Sequence, residues 1–284
     1  LRLRLSKSGV LVKVAKQDGT VLMEDLTEPR AGEGGIAWER TAPRGVPIYG
    51  LGPRPDAQLN ARGRRLEDAV PFLISGAGYG EFHRARARYT FDLTSAGRYR
   101  IEAAGAKIID YFFYFGPTPK EIYEEHQLSG MEVEAPSGPA ATAGSWSTLR
   151  DALFGLTHGS LSGILRAEFD AEPYRSAPAE LRARAEQLAG VVNPGARKEL
   201  GPLFFAYEQE IRDRGLPILR PLAMQFPNDP QAGRHIDEFM LGDELLAAPV
   251  YTPGGERTVY LPQGIWTRLD TNERFNGRQT IRVK

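Results

Sequence analysis

The apolar periodicity of this chain changes twice, and that order constrains the fold more than any other feature. Up to about residue 115, apolar residues alternate in short runs broken by Gly and Pro. Leu1, Leu3 and Leu5 oppose Arg2 and Arg4, and Val10, Val12 and Val14 repeat the pattern before Gln17-Asp18-Gly19-Thr20. An Asp-Gly step between alternating runs marks a hairpin, because Gly takes positive φ without a Cβ clash. Residues 21–23 are the expected return strand, and further strands are expected at 34–39, 46–51, 70–75, 78–83, 88–93, 98–103 and 107–115. Strands this short and this closely spaced predict a β-sandwich. The run 108–115 is apolar on both faces, which predicts a central strand. Directly after it, Thr118 can cap a helix, Pro119 suits its first turn and Glu121 completes a capping box. That helix is expected to reach about Leu128 and to stop at Gly130.

Residues 131–144 are small, rich in Pro, Gly and Ala, and without periodicity, as in a linker or splice. Helical periodicity follows. Trp146, Leu149, Leu153 and Leu156 share one face; Leu181, Ala185 and Leu188 share another, with Gly190 as a stop. Leu200, Leu203, Phe204, Tyr207 and Ile211 form the clearest stripe, closed by Gly215. Strands then return at 218–226, 244–250, 257–261, 267–270 and 280–283. The fold class is mixed α and β, divided at 1–130, 131–214 and 215–284.

Composition removes several functions. Thirty-six basic residues balance thirty-six acidic ones, so nothing draws the chain to nucleic acid or to an anionic membrane. No cysteine is present, which excludes disulfides, thiolate metal sites and thiol catalysis. No apolar run approaches a membrane span. The lack of a signal-peptide pattern and of cysteine slightly favours the cytoplasm, while a start at Leu1 rather than Met leaves secretion open. His83, His126, His158 and His235 are scattered without metal-ligand spacing and read as surface or satisfied side chains; no metal or cofactor is expected. Gly76-Ala77-Gly78-Tyr79-Gly80 joins strand to strand, so it reads as a tight turn rather than a phosphate loop. Arg84, Arg86 and Arg88 read as a solvated sheet face; Trp38, Trp146 and Trp266 could stack on sugars, with core the simpler reading. Glu168, Asp170 and Glu172 would share one face if in a strand, and are most simply a solvated strand end or loop.

Several stretches occur in an order that resembles glycoside hydrolase family 31, the α-glucosidase and α-xylosidase family. They are Tyr49-Gly50-Leu51-Gly52, Pro71-Phe72-Leu73-Ile74-Ser75 with Gly78-Tyr79-Gly80, and Asp110-Tyr111-Phe112 leading to Gly116-Pro117-Thr118-Pro119. Later come Ser145-Trp146, Leu161-Ser162-Gly163, Arg220-Pro221-Leu222 with Phe226-Pro227-Asn228-Asp229, and the most specific stretch, Phe239-Met240-Leu241-Gly242-Asp243 through Ala248-Pro249-Val250. The resemblance implies an N-terminal β-sandwich, a (β/α)8 barrel and a C-terminal β-sandwich. Such a barrel needs roughly 250 residues, and only about 80 separate the two strand-rich parts. The implied fold is therefore an internally truncated member: sandwich, remnant of the end of a barrel, and partial C-terminal sandwich.

Retaining glycoside hydrolysis needs a nucleophilic and a protonated carboxyl about 5–5.5 Å apart. By the resemblance, the barrel strands bearing the nucleophile are missing, Ala141 occupies the acid position, and Pro53 replaces the acid after Tyr49-Gly50-Leu51-Gly52. The substrate-binding His motif has no counterpart in 191–200. Asp170-Ala171-Glu172-Pro173-Tyr174 keeps only the Asp and the aromatic of a substrate-binding motif. No catalytic residue is assigned; Asp170 and Tyr174 are the candidate saccharide contacts. The expected function is a glycosidase relative in carbohydrate metabolism without hydrolysis, binding an oligosaccharide or α-glycoside weakly. Rival readings are an active α-glycosidase whose missing groups come from elsewhere, a structural or interaction module, and an internally deleted form of a longer enzyme. Surfaces left uncovered by a partial barrel would favour self-association.

Overall fold

The computed structural model describes residues 2–5, 11–134, 144–196 and 198–283. The chain forms two compact units. The first comprises Leu1–Gly52, Asn60–Pro136 and Leu161–Gly163; the second comprises Pro53–Leu59, Ser137–Ser160 and Ile164–Lys284.

The first unit opens with β1 (Arg2–Leu5), β2 (Val12–Ala15) and β3 (Val21–Glu24), an antiparallel sheet in that order. The β2–β3 hairpin is where the Asp-Gly step predicts it. The Lys16 N–H donates to the Thr20 carbonyl at 2.8 Å, and Gly19 takes φ +92°. Next come β4 (Arg30–Gly32), β5 (Gly35–Thr41), β6 (Ile48–Gly50), β7 (Arg65–Ala69), β8 (Phe72–Ser75), β9 (Tyr79–His83), β10 (Arg88–Asp92), β11 (Arg98–Ala104) and β12 (Tyr111–Phe115). They form a five-stranded sheet, β4-β5-β11-β10-β7, and a four-stranded one, β12-β9-β8-β6. Strand β5 shows why: Ile36, Trp38 and Arg40 are buried and their neighbours are not, the period of two of a strand with one face inward. One hydrophobic cluster draws Trp38, Phe91, Tyr99 and Ile101 from the larger sheet and Ile48, Leu73 and Tyr79 from the smaller.

The expectation of a central strand at 108–115 is corrected. Among the described residues β12 lies at the edge of its sheet, paired only with β9, and residues 107–110 precede it as a bend and irregular backbone. Its two apolar faces have separate causes. Phe113 stacks on Tyr79 at 5.2 Å, while Tyr114 meets His126 of α1 (Pro119–Leu128) at 5.3 Å. Burial above and below the sheet plane says nothing about the number of neighbours within it. The doubly buried strands are β8 and β9. Helix α1 begins as expected: the Glu121 N–H donates to Thr118 Oγ1, the Thr118 N–H donates to Glu121 Oε2, and Pro119 occupies the first turn.

The Gly50-Leu51-Gly52 stretch has three successive positive φ angles, +89°, +69° and +108°. A Cβ on Gly50 would lie 2.4 Å from the Phe72 carbonyl oxygen. Leu51 accepts the strained conformation because its side chain is buried and its N–H donates to that same carbonyl at 2.8 Å. The Gly52 N–H donates to Ser162 Oγ at 2.9 Å, so the Leu161-Ser162-Gly163 stretch fastens this kink.

In the second unit α2 (Trp146–Ser160), α3 (Ala179–Val192) and α4 (Gly201–Arg214) precede β13 (Leu219–Pro221), the single-turn α5 (Leu222–Gln225), β14 (Phe239–Leu241) and β15 (Leu245–Ala247). Strands β13, β14 and β15 form one antiparallel sheet. Then β16 (Arg257–Leu261) pairs with β19 (Gln279–Val283), and β17 (Ile265–Thr267) pairs with β18 (Arg274–Asn276). Gly190 does not stop α3. The helix runs to Val192 and ends because Asn193 precedes Pro194, which steers it to extended backbone, φ −86° and ψ 126°. The strand expected over 218–226 is β13 followed by α5. Arg220 on β13 is fully buried. Its Nε donates to the Pro217 carbonyl at 2.8 Å, and its guanidinium pairs with Glu210 of α4 and with Asp243.

Every strand pairing among the described residues is antiparallel. A (β/α)8 barrel is built from eight parallel strands, so none is present among those residues.

Candidate functional site

Asp170 and Tyr174 lie on the loop between α2 and α3, in the second unit. The loop is not a strand, so Glu168, Asp170 and Glu172 do not share a sheet face; residues 172–174 form a 3-10 turn. Asp170 is exposed, and its Oδ1 accepts the Glu172 N–H at 2.9 Å. Glu172 pairs with Arg175 at 2.8 Å. Tyr174 is only 4% exposed; its ring lies 5.7 Å from that of Phe169 and its hydroxyl donates to Thr148 Oγ1 on α2 at 3.1 Å. Burial pushes its phenol pKa up, so it remains a neutral donor. The Gly144 N–H donates to the Pro173 carbonyl at 2.9 Å, which fastens the start of α2 to the same loop. Asp170 thus faces solvent, while Tyr174 is held in packing. Ala141, at the acid position of the resemblance, lies outside the described residues.

Two further charged clusters were not legible as clusters in the sequence. In the first unit, buried Arg40 donates from Nε to Asp25 at 2.7 Å and from Nη1 to Glu81 at 2.5 Å. Glu81 also accepts from the Tyr99 hydroxyl at 2.8 Å and lies 3.1 Å from His83 Nε2. Burial opposes ionisation of Glu81, yet Arg40 and the hydrogen bonds from His83 and Tyr99 hold its pKa down at about 2. Burial lowers the pKa of His83 despite Glu81. The available signal was a Glu-x-His pair at spacing two in an otherwise apolar strand, which puts both side chains on one buried face.

In the second unit His235, Asp237 and Glu238 bring three potential ligand atoms within 4.8 Å of one another. Their existing partners do not suit a metal. Both Glu238 oxygens accept the Tyr260 N–H, at 2.9 and 3.1 Å, and Arg257 Nη2 lies 2.8 Å from Asp237 and 3.4 Å from Glu238. A cation would have to displace a guanidinium, and burial pushes the Glu238 carboxyl up to about 7. His235 stacks on Tyr260 with ring centroids 4.8 Å apart. The other histidines are buried and partnered: His126 Nδ1 meets the Tyr114 hydroxyl at 2.9 Å, and His158 Nε2 meets the Asp56 carbonyl at 3.1 Å.

Residues 215–284, which contain this cluster and buried Arg220, match the sequence profile of the glycosyl hydrolase family 31 C-terminal domain. That segment is related to glycoside hydrolase family 31. The chain is 48% identical over 68 residues to the myogenesis-regulating glycosidase of Mus musculus, covering 24% of this chain and 10% of that protein. It is 33% identical over 81 residues to an α-glucosidase of Saccharolobus solfataricus, covering 28% of this chain and 12% of that protein. These matches span about a tenth of the curated relatives' length. The fold is similar over 99% of the chain to a Flavobacterium johnsoniae family 31 dextranase mutant complexed with isomaltotriose, at TM-score 0.76 and 15% identity, covering 69% of that chain. It is also similar to a family 31 α-xylosidase from a soil metagenome complexed with xylose, at TM-score 0.73 and 14% identity over 96% of this chain and 85% of that one.

Within the family 31 C-terminal segment, the Phe226-Pro227-Asn228-Asp229 loop is closed by Asp229, which accepts from the Tyr260 hydroxyl at 2.6 Å and from the Gln231 N–H at 2.9 Å. Trp266 borders a groove of about 810 Å3 and is half-buried, its Nε1 donating to the Pro262 carbonyl at 2.8 Å. Neither Asp237 nor Glu238 lines that groove.

Proposed function

We propose that this family 31 relative is a carbohydrate-active protein that binds saccharide at the Asp170 loop and does not cleave glycosidic bonds. The observation carrying the reading is the antiparallel pairing throughout the described strands, which leaves no barrel strand to hold a nucleophile opposite Asp170. Asp170 is exposed and keeps acceptor capacity beyond its bond to the Glu172 N–H, as a contact to a sugar hydroxyl requires. Complexes of similar structures with isomaltotriose and xylose support saccharide as the ligand class. On this reading residues 1–130 correspond to the family's N-terminal β-sandwich with its closing helix, 131–214 to a linker and the end of its barrel, and 215–284 to part of its C-terminal β domain. Self-association belongs to the same reading, since Phe205 on α4 is 68% exposed.

The test is turnover of aryl α-glucosides and α-xylosides, with calorimetric titration of maltose, isomaltose and xylosides into wild type and Asp170→Asn. The expected result is no turnover and a saccharide affinity that Asp170→Asn weakens. Turnover abolished by Asp170→Asn would instead make the protein an active glycosidase. No heat from any saccharide would leave a structural module.

A further inference from the structure

Strands β2, β4, β5 and β12 and the connecting segments 25–29 and 107–109 border a hollow of about 460 Å3 in the first unit. That volume is within the range of about 300–1,000 Å3 typical of small-molecule sites. Asp25 and Arg40 line it although they are 6% and 1% exposed. Trp38 and Tyr111 contribute aromatic rings, and Glu28 and Lys107 contribute exposed charges. The Arg40 guanidinium lies 4.3 Å from the Tyr111 ring centroid and is held from behind by Glu81. Asp25 is fixed by the Val12 N–H at 2.9 Å and by Arg40 at 2.7 Å. The polar groups are thus pre-positioned, which lowers the ordering cost of binding.

One lining residue carries a polar atom with nothing to bind. Trp38 Nε1 is buried without a hydrogen-bond partner among the described residues. A buried donor left unpaired costs about 1–3 kcal/mol, so native folds rarely keep one without a reason.

We propose that this hollow is a binding site for a neutral mono- or disaccharide, apart from the Asp170 loop, which belongs to the other unit. Two acids and two bases line it, so neither an anionic nor a cationic ligand gains from its net charge. The same groups supply both donors and acceptors beside aromatic faces, and the indole N–H supplies one more donor. Hydroxyl groups, which donate and accept at once, match that set. The choice of a saccharide over another neutral polyhydroxylated molecule rests on the carbohydrate-active reading above.

The test titrates glucose, xylose, maltose and isomaltose into the full chain, followed by calorimetry and tryptophan fluorescence, with glucuronate and glucosamine as charged comparators. Three variants are compared: Trp38→Phe, which keeps a ring and removes the N–H; the exposed pair Glu28→Ala with Lys107→Ala; and Asp170→Asn. Because Trp38 lies in the core, circular dichroism checks its fold, and the exposed pair tests the hollow independently. The expected result is that both hollow variants weaken one neutral-saccharide site at least about fivefold, the loss of roughly one hydrogen bond, while Asp170→Asn leaves that site intact. Unchanged binding in both hollow variants overturns the proposal, and if Asp170→Asn then abolishes it, the Asp170 reading stands alone. Binding abolished by the hollow variants and untouched by Asp170→Asn supports the hollow and removes the Asp170 site. A charged comparator binding more tightly than glucose, or no saccharide binding at all, also overturns it.

Discussion

Glu238 is 1% exposed, and its carboxyl is pushed up to about 7 because burial outweighs the Tyr260 N–H and Arg257. Its ordinary value is 4.5. Between these values the native state holds a proton that the unfolded chain has released, so stability falls as pH rises through this window. Above about pH 7 the whole penalty remains, on the order of 3 kcal/mol at about 1.4 kcal/mol per pH unit. Glu238→Gln is expected to raise the urea midpoint at pH 8 and to leave it nearly unchanged at pH 4.5; equal destabilisation at both would refute the argument. His126 acts with the opposite sign. Burial lowers its pKa to about 4, so stability is lost as pH falls from about 6.5 through 4. With Glu238 replaced, stability should therefore rise with pH across 4.5–6.5, a slope that denaturation at several pH values would reveal. Gly242 is a third residue with a measurable consequence. It takes φ +58°, and a Cβ there would lie 1.7 Å from Tyr207 Cζ. Gly242→Ala should cost about 2–4 kcal/mol, because left-handed strain and overpacking act together.

Elements add consequences that no single residue shows. The capping box on α1 satisfies donors at the helix start, and Thr118→Ala should cost about 1 kcal/mol. Fluorescence-detected unfolding would measure this, and a change below a few tenths would show that α1 is held by its packing on β8 and β9 instead. The capping box, the Asp-Gly hairpin and the alternation in β5 were legible because each depends on neighbours within a few positions. The edge position of β12 was not, since two apolar faces report layers above and below rather than strands alongside. The extent of α3 differs from the sequence expectation for a related reason. Gly190 is a weak local stop when the helix face is buried, whereas Pro194 is a steric one. Strand β14 has no periodic signal in the sequence because its three residues are all buried and carry no alternation.

At the level of the whole molecule, exposed apolar side chains are the feature with a solution consequence. On the first unit Leu128 is 81% exposed; on the second, Phe205, Ile265 and Leu269 are 68%, 77% and 75% exposed. The formal net charge is zero, so no long-range repulsion opposes association. Sedimentation should show a concentration-dependent increase in mass that Phe205→Ser reduces, and a monomer at all concentrations would count against the self-association reading. The sequence by itself determined the kinship of residues 215–284, because the Arg220-Pro221-Leu222 and Gly242 stretches are local responses to steric and charge demands that leave few alternatives. It also determined the hairpin and the α1 cap. Only the tertiary structure decided that Asp25, Arg40, Glu81 and His83 form one buried network, and that Glu238 is enclosed by Tyr260 and Arg257. Those partners come from strands and turns far apart in the chain. Their contact, and the desolvation that shifts their ionisation, exist only once the sheets are packed.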